Sequence, residues 1–367
     1  MTIGIVGGGQ LGRMLILAGV PLGLRFRVLD PVPEAATDGL APRVAGDFDD
    51  FAALAEFHRG LDCATYEFEN VPVTSARWLA DRLPVFPPPD ALAVAQDRVA
   101  EKQFFRDLSI PTPAFRAVQE RAEYDDALAE IGLPAVLKTR RFGYDGKGQR
   151  VLTSPADCAR AWEQLGGRPL ILEKFIPFTR ELSIVAVRGR SGESAAYPLA
   201  ENRHRNGILA RSLAPAGTDE LQSEAEDFAR RVLDRLSYVG VLAIEFFELD
   251  GHLIANEMAP RVHNSGHWTI DGAATSQFEN HLRALAGWPL GSTVPTGHAA
   301  MFNLIGTLPA LPPLLAVPGA HLHLYGKSPR PGRKLGHVTI VAPTRGELEH
   351  RLEHPALKSL VSEPESS

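Results

Sequence analysis

Cysteine is nearly absent from the chain: Cys63 and Cys158 are the only two in 367 residues. Neither has a second cysteine or a histidine at metal-ligand spacing, which excludes a disulfide framework or a zinc knuckle as the organising device. Both read instead as reduced, buried thiols. Long apolar runs are missing as well. None approaches the ~18 residues that a membrane-spanning helix needs, and no basic stretch followed by an apolar one opens the sequence. The expectation is a cytoplasmic protein that engages no membrane. Positive charge is not in excess: the formal net charge is −6. With no long basic run, non-specific nucleic-acid binding is disfavoured. Internal repeats and low-complexity segments are absent too.

What remains is ordinary globular material, 44% hydrophobic and 22% charged, in a chain long enough for two or three packed units. The first hundred residues alternate strand and helix. TIGIVGG, FRVLD and DCATYEF read as strands, and QLGRMLILAGVPLG, 47–61 and TSARWLADRL as helices. That order implies a parallel, doubly wound sheet. The proline cluster at 86–92 breaks the pattern, giving an N-terminal unit of 1–95. An amphipathic helix DRVAEKQFFRDL and an extended IPTPAF follow, then a lobe with strands PAVLKTR and LILEKFI around a helix near 155–165. From Glu181 the strands lengthen and look antiparallel: ELSIVAVRG, ESAAYPLAE, and a hairpin GVLAIEFFELDGHLIANEMA turning at Asp250-Gly251. A helix over 271–285 closes this second unit, 96–295. A small third unit, 296–367, carries strands HLHLYGK and KLGHVTIVA and a final helix.

Four clusters carry chemistry. The first is Gly7-x-Gly9-x-x-Gly12 after an apolar strand, with Asp30 about twenty residues on, the spacing of a dinucleotide-binding fingerprint. An NAD- or FAD-dependent enzyme and another use of the same strand–turn–helix both remain open. The second is RRFGYDGKGQR at 140–150, whose glycines can turn amides toward an anion beside Lys147, Arg140 and Arg141. It lacks the Walker spacing, and Lys138 stands just before it. The third is the hairpin. With a three-residue Asp250-Gly251-His252 loop, Glu245 and Glu257 stand opposite each other among apolar neighbours. A divalent cation such as Mg²⁺ relieves their repulsion, with Asn256 as a further oxygen donor. Pairing of each glutamate with an arginine is the plainer alternative. Arg261 follows at once, placed where charge grows on a transferring phosphoryl group, with His263, Asn264 and His267 in the same turn. The fourth is YGKSPRPGRKLGHV at 325–338, a basic turn suited to a phosphorylated compound.

Taken in order, GGGQLGRM, TYEFENV at 65–71, GYDGKGQ at 143–149, EKFI at 173–176, NEMAPRVHNSGHWT at 256–269, SQFENHLRA at 276–284 and RPGRKLGHV at 330–338 resemble the ATP-grasp ligases. Within them the chain is most similar to the branch that uses ATP and bicarbonate in purine synthesis. The resemblance implies a doubly wound pre-ATP-grasp domain, a central ATP-grasp with a mobile lid at about 112–178, and a small C-terminal domain. It implies carboxylation of 5-aminoimidazole ribonucleotide through carboxyphosphate, with ATP and Mg²⁺, by a cytoplasmic homodimer.

For ATP it implies Arg98 and Lys138 on the phosphates, and a loop of Gly143, Tyr144, Asp145, Gly146, Lys147, Gly148 and Gln149 closing over them. Glu173, Lys174, Phe175 and Ile176 meet the adenine through their backbone. Glu181 takes the ribose, with His204 near; Asn256 and Glu257 complete this set, and Glu245 and Glu257 hold the metal. Arg261, His263 and Asn264 serve the bicarbonate step. Gln10, Glu67, Tyr144, Asp145, Lys147, Lys327 and Arg333 cradle the aminoimidazole ribonucleotide, with Glu67 at its amine. The glycine corner at the chain's start then takes that nucleotide's phosphate or ribose, and Asp30 becomes an ordinary strand-end acid. Two readings compete: another ATP-grasp ligase, such as a formate-dependent purine transformylase or a biotin carboxylase, and an NAD-dependent oxidoreductase.

Overall fold

The computed structural model describes residues 1–143 and 148–361. Four parallel strands form the N-terminal sheet: β1 (Thr2–Val6), β2 (Arg25–Asp30), β3 (Arg43–Ala45) and β4 (Cys63–Tyr66), in the order β3-β2-β1-β4. Helices Gln10–Gly19, Phe51–Phe57 and Val73–Ala80 connect and flank them. Phe51–Phe57 is shorter than the predicted 47–61, because Asp50 caps it by accepting from the amides of Ala52 and Ala53. The proline cluster opens a helix, Pro89–Ala95, since proline in a first turn forfeits no helical hydrogen bond.

A second sheet stands apart from the others: β5 (Phe115–Val118), β6 (Ala135–Thr139), β7 (Gln149–Leu152) and β8 (Leu170–Lys174), antiparallel in the order β5-β8-β6-β7. Helices Arg121–Ile131 and Pro155–Leu165 each start with a reciprocal capping box. They share a core of their own with the sheet, where Tyr124 stacks on Trp162 at 5.0 Å.

The third sheet runs through the rest of the chain. Its strands are β9 (Arg180–Arg188), β10 (Ser194–Ala196), β11 (Ala200–Arg205), β12 (Ile208–Ala214), β13 (Gly240–Leu249), β14 (His252–Ala259), β15 (His298–Ile305), β16 (Ala320–Leu324) and β17 (Lys334–Ala342). The order is β14-β13-β9-β11-β12-β15-β17-β16, with β10 beside β9. The predicted strand ESAAYPLAE is split in two around Pro198, whose missing N–H cannot join a ladder. Strand β15 and the longest helix, Asp219–Arg235, have no counterpart among the predicted elements. That helix shows only one apolar stripe, Leu221, Ala225, Phe228, Ala229, Val232 and Leu233, against a charged remainder. The expected helix 271–285 is two helices, Thr269–Gly272 and Gln277–Ala286, the second capped by Ser276.

Both faces of the central strands are covered, which explains their near-continuous apolar sequence. Leu242, Ile244 and Phe246 of β13 face the cluster built with helix Asp219–Arg235. Val241 and Ala243 face the cluster that includes helices Gln10–Gly19 and Gln277–Ala286. The N-terminal domain is thus packed onto the central sheet through a shared core. Buried His281 strengthens the joint: its Nδ1 accepts from the Val241 amide at 3.0 Å, and its Nε2 meets Thr65 Oγ1 at 3.0 Å.

Candidate active site

A cavity of about 530 Å³ lies where the three parts meet. Of the predicted residues, Gln10, Glu67, Arg98, Lys138, Gly143, Gln149, Glu181, His204, Glu245, Asn256, Glu257, Arg261, His263 and Asn264 line it. Tyr144, Asp145, Gly146 and Lys147 lie outside the described residues.

The hairpin delivers the carboxylates by a different route from the predicted one. Its turn has two residues, Asp250 at φ +52° and Gly251 at φ +78°, with Leu249 paired to His252. Continued without interruption, that register would set Glu257 against Ile244. A bulge intervenes: Phe246 pairs with Ala255 but Glu245 pairs with Glu257, so Asn256 is an extra residue. One added residue turns each later side chain of the strand to the opposite face of the sheet. Glu257 leaves the helix-covered face and joins Glu245 toward the cavity. Lys102, fully buried, holds the bulge by donating to Asn256 O at 2.6 Å and Ala255 O at 3.4 Å.

The electrostatics separate the two carboxylates. Burial, and then the charge of Glu257, push Glu245 up to about 7. Burial would raise Glu257 too, but Arg98, Lys138 and Lys102 outweigh it and hold it at about 2. Arg98 Nη1 lies 2.8 Å from Glu257 Oε2, so the arginine pairing weighed as the plainer alternative holds for this residue. His263 Nε2 is 3.6 Å from Glu245 Oε1. Burial, followed by Arg261 and Lys334, keeps His263 well below the usual histidine range. Among the described residues Asn256 Oδ1 is buried without a hydrogen-bond partner, as are both side-chain heteroatoms of Asn264.

On the lid side, Lys138 and Gln149 are cross-strand partners. Lys138 Nζ donates to Glu173 Oε2 at 2.9 Å, and Lys102 Nζ is 3.7 Å from the same oxygen. Glu173 is 2% exposed and does not line the cavity. The amides of Lys174 and Phe175 donate to Ala114 O and Pro134 O. Glu181 Oε2 lies 2.6 Å from His204 Nδ1.

The glycine corner is already filled. Glu67 Oε1 accepts from the Gly9 amide at 2.8 Å, and Oε2 from the Leu11 and Gly12 amides at 3.1 Å each. The expected phosphate or ribose therefore does not sit on these donors while Glu67 does. A Cβ on Gly9 would meet Glu67 Oε1 at 2.5 Å and would displace that carboxylate from its amides. Asp30 does more than end a strand. The residue is 6% exposed, and its carboxylate accepts from the Gly8 amide at 2.6 Å and the Val32 amide at 2.7 Å. It is spent on the turn, which leaves the oxidoreductase reading without its ribose-binding acid.

In the basic C-terminal turn, Lys327 Nζ donates to Gln10 Oε1, Arg333 turns back onto Ser328 O, and Lys334 lines the cavity. Several working residues lie outside the predicted set. Glu69 pairs with Arg261, Asp97 with Arg140 and Arg141, and Glu101 accepts from the Met258 amide at 2.7 Å. Glu69 was within reach of sequence reasoning, since it sits in TYEFENV, one of the stretches that carry the resemblance. Lys102 and Glu101 read only as one polar side of a helix.

Comparisons with known proteins agree along the whole chain. The ribonucleotide synthetase pre-ATP-grasp domain family matches residues 1–96, the ATP-grasp domain family residues 103–278, and the phosphoribosylaminoimidazole carboxylase C-terminal domain family residues 299–351. The N5-carboxyaminoimidazole ribonucleotide synthase of Pseudomonas aeruginosa is 54% identical over 352 residues, covering 96% of this chain and 98% of that protein. The crystal structure of the N5-carboxyaminoimidazole ribonucleotide synthetase from Thermus thermophilus superposes with a TM-score of 0.94 at 56% identity, covering all of both chains. An Aspergillus clavatus synthase, crystallised with ADP and 5-aminoimidazole ribonucleotide, does so at 0.91 and 31% identity, covering 98% of each. Cavity, three-part fold and full-length likeness converge, and the chain belongs to the N5-carboxyaminoimidazole ribonucleotide synthases, the ATP-grasp ligases of purine biosynthesis.

Proposed function

We propose that bicarbonate supplies the carboxyl group in the reaction this family catalyses, the ATP-dependent conversion of 5-aminoimidazole ribonucleotide to its N5-carboxy derivative. A bicarbonate oxygen attacks the γ-phosphorus, the bond to the β-bridging oxygen breaks, and carboxyphosphate and ADP result. The exocyclic amine then attacks the carboxyl carbon, directly or after CO₂ is released. Phosphate departs and the amine loses a proton. The observation that carries this reading is the opposed Glu245–Glu257 pair beside Arg261, in one cavity with the Glu67–Glu69 wall of the N-terminal domain.

The residues divide the work by chemistry. Arg98 exchanges Glu257 for phosphate oxygens, and Lys138 meets the same phosphates, with Gly143 and Gln149 on the same cavity wall. Adenine lies along Glu173 to Ile176. Because the Lys174 and Phe175 amides are engaged, its partners are the carbonyls and Ile176. Glu181, held by His204, takes the ribose. Glu245, Glu257 and the unpartnered Asn256 Oδ1 fit Mg²⁺, which prefers oxygen and one or two carboxylates completed by substrate phosphates. When bound, Mg²⁺ offsets charge on the phosphoryl oxygens.

Arg261 stabilises the oxyanions of the transferring group, while neutral His263 and Asn264 orient bicarbonate by hydrogen bonds. Gln10, Lys327, Arg333 and Lys334 gather the ribonucleotide's phosphate. The protein's contribution is positioning and preorganised charge, as in phosphoryl transfer generally. A cytoplasmic homodimer belongs to the same proposal, and sedimentation of the purified chain tests its second half. The chemistry is tested by phosphate release. Turnover should require both bicarbonate and 5-aminoimidazole ribonucleotide and ignore formate and biotin; equal turnover with formate removes the reading.

A further inference from the structure

Arg261 does not stand free in the cavity. Its Nη2 donates to Glu69 Oε2, its Nη1 donates to Val262 O at 3.0 Å, and its Nε is buried without a partner. The two ends of this pair come from different domains. Glu69 follows β4 in the N-terminal sheet, and Arg261 follows β14 in the central sheet. Their side chains are 28% and 13% exposed, so solvent screens the pair only in part.

The Glu69 end is fixed from behind. Gln96, at the C-cap of helix Pro89–Ala95, donates its side-chain amide to Glu69 O at 2.8 Å and to Val71 O at 2.6 Å. The carboxylate is therefore presented to Arg261 by a braced segment. Its neighbour Glu67 is committed to three backbone amides, whereas among the described residues no main-chain N–H donates to the Glu69 carboxylate. Of the two acids facing the acceptor side, Glu69 is the one able to change partners. Arg261 shares the cavity wall with Lys334 and the neutral His263, and Glu69 is the carboxylate paired directly with the guanidinium.

We propose that Glu69 is a positioning residue that couples acceptor binding to phosphoryl chemistry. Before the acceptor binds, it neutralises Arg261 through the pair described above. When the acceptor arrives, its exocyclic N–H draws the carboxylate over and releases the guanidinium to the bicarbonate and phosphoryl oxygens. One movement thus aims the amine and arms the arginine, which limits wasteful ATP cleavage when no acceptor is present. The inference rests on the role given to Arg261 above.

The test uses the full chain with ATP and bicarbonate, with and without 5-aminoimidazole ribonucleotide, and reads phosphate released against carboxylated product. In Glu69→Gln, acceptor-independent phosphate release should rise at least five-fold and the KM for bicarbonate should fall, because the guanidinium has lost its paired carboxylate. Glu69→Asp should restore much of the coupling. Gln96→Leu, which loosens the segment but keeps the carboxylate, should shift both quantities the same way by a smaller factor, and it gives a second reading if Glu69→Gln folds poorly. An unchanged ratio and KM in Glu69→Gln and Gln96→Leu, with Arg261→Ala inactive, overturns the inference alone. A raised KM with loss of both activities in parallel reduces Glu69 to a structural brace and also overturns it. Full bicarbonate-dependent turnover in Arg261→Ala removes the role of the arginine and the inference together.

Discussion

Glu245 and Glu257 are cross-strand partners because Asn256 is one residue more than the β13–β14 ladder needs. The bulge decides which face of the sheet receives the second carboxylate. Deleting Asn256 should leave a regular ladder with Glu257 still opposite Glu245, so ATP turnover should persist at a level reduced by the lost Asn256 oxygen and the lost Lys102 anchor, and complete inactivation would contradict that register. Glu257→Gln tests the carboxylate itself. Its Tm should stay within a few degrees of wild type while ATP turnover falls ~100-fold or more, at least the loss that outer-sphere changes cause at metal sites. Near-normal turnover in that variant removes the metal assignment.

His204 gives the site a pH signature. Burial alone would lower it, but the 2.6 Å bond to Glu181 and the charges of Glu245 and Glu257 bring it up to about 9. A histidine raised in this way adds stability that is complete below its unfolded value near 6.5 and is lost as pH rises toward 9. Urea unfolding of the ligand-free protein should show that decline, and His204→Gln should flatten it by about 1 kcal/mol, a figure reduced for partial solvent screening. Identical slopes in the two proteins would discard the assignment.

Lys327 joins the C-terminal turn to the first helix through Gln10. Burial first of all, with Arg333 and Lys334 adding to it, lowers the lysine to about 8, although Glu67 opposes the shift. Lys327→Met should raise the KM for 5-aminoimidazole ribonucleotide roughly ten-fold or more, the loss of one charge-assisted phosphate bond. The KM for ATP should change little. A shift confined to ATP would move Lys327 to the other substrate.

Glu67 acts as the cap of helix Gln10–Gly19, whose own N-cap residue, Gly9, offers no side chain. Glu67→Ala should therefore cost about 1–2 kcal/mol in urea unfolding even without substrates. Stability equal to wild type would mean that the three amides find water instead.

The three-part fold was legible because its signals are local. Strand–helix alternation marked the first domain, and turn dipeptide and apolar alternation marked the hairpin. Glu245 and Glu257 were matched correctly on an incorrect turn. A three-residue loop and a two-residue loop plus a bulge give the same pairing, and nothing in ANEMA announces the bulge that Lys102 secures from a distant helix. The glycine fingerprint was misleading for a related reason. Its sequence is that of an open anion site, but Glu67 and Asp30 reach it through tertiary contacts and fill it. Arg98 and Arg261 are likewise present in the motifs, whereas the carboxylates they pair with, Glu257 and Glu69, lie more than 150 residues away in the chain. Patterns of spacing report which groups are available, and only packing reports which are already engaged.

The pairing of β12 with β15, from Arg211 opposite Phe302 to Ala214 opposite Ala299, makes the C-terminal strands a continuation of the sheet that carries the reaction centre. A chain stopped at residue 296 would not be a trimmed enzyme. It would present β12 as a bare edge, with unpaired amides and carbonyls beside newly exposed apolar side chains, and such edges recruit strands from other molecules. Protection from self-association is therefore something the last seventy or so residues supply, separately from any hold they have on substrate.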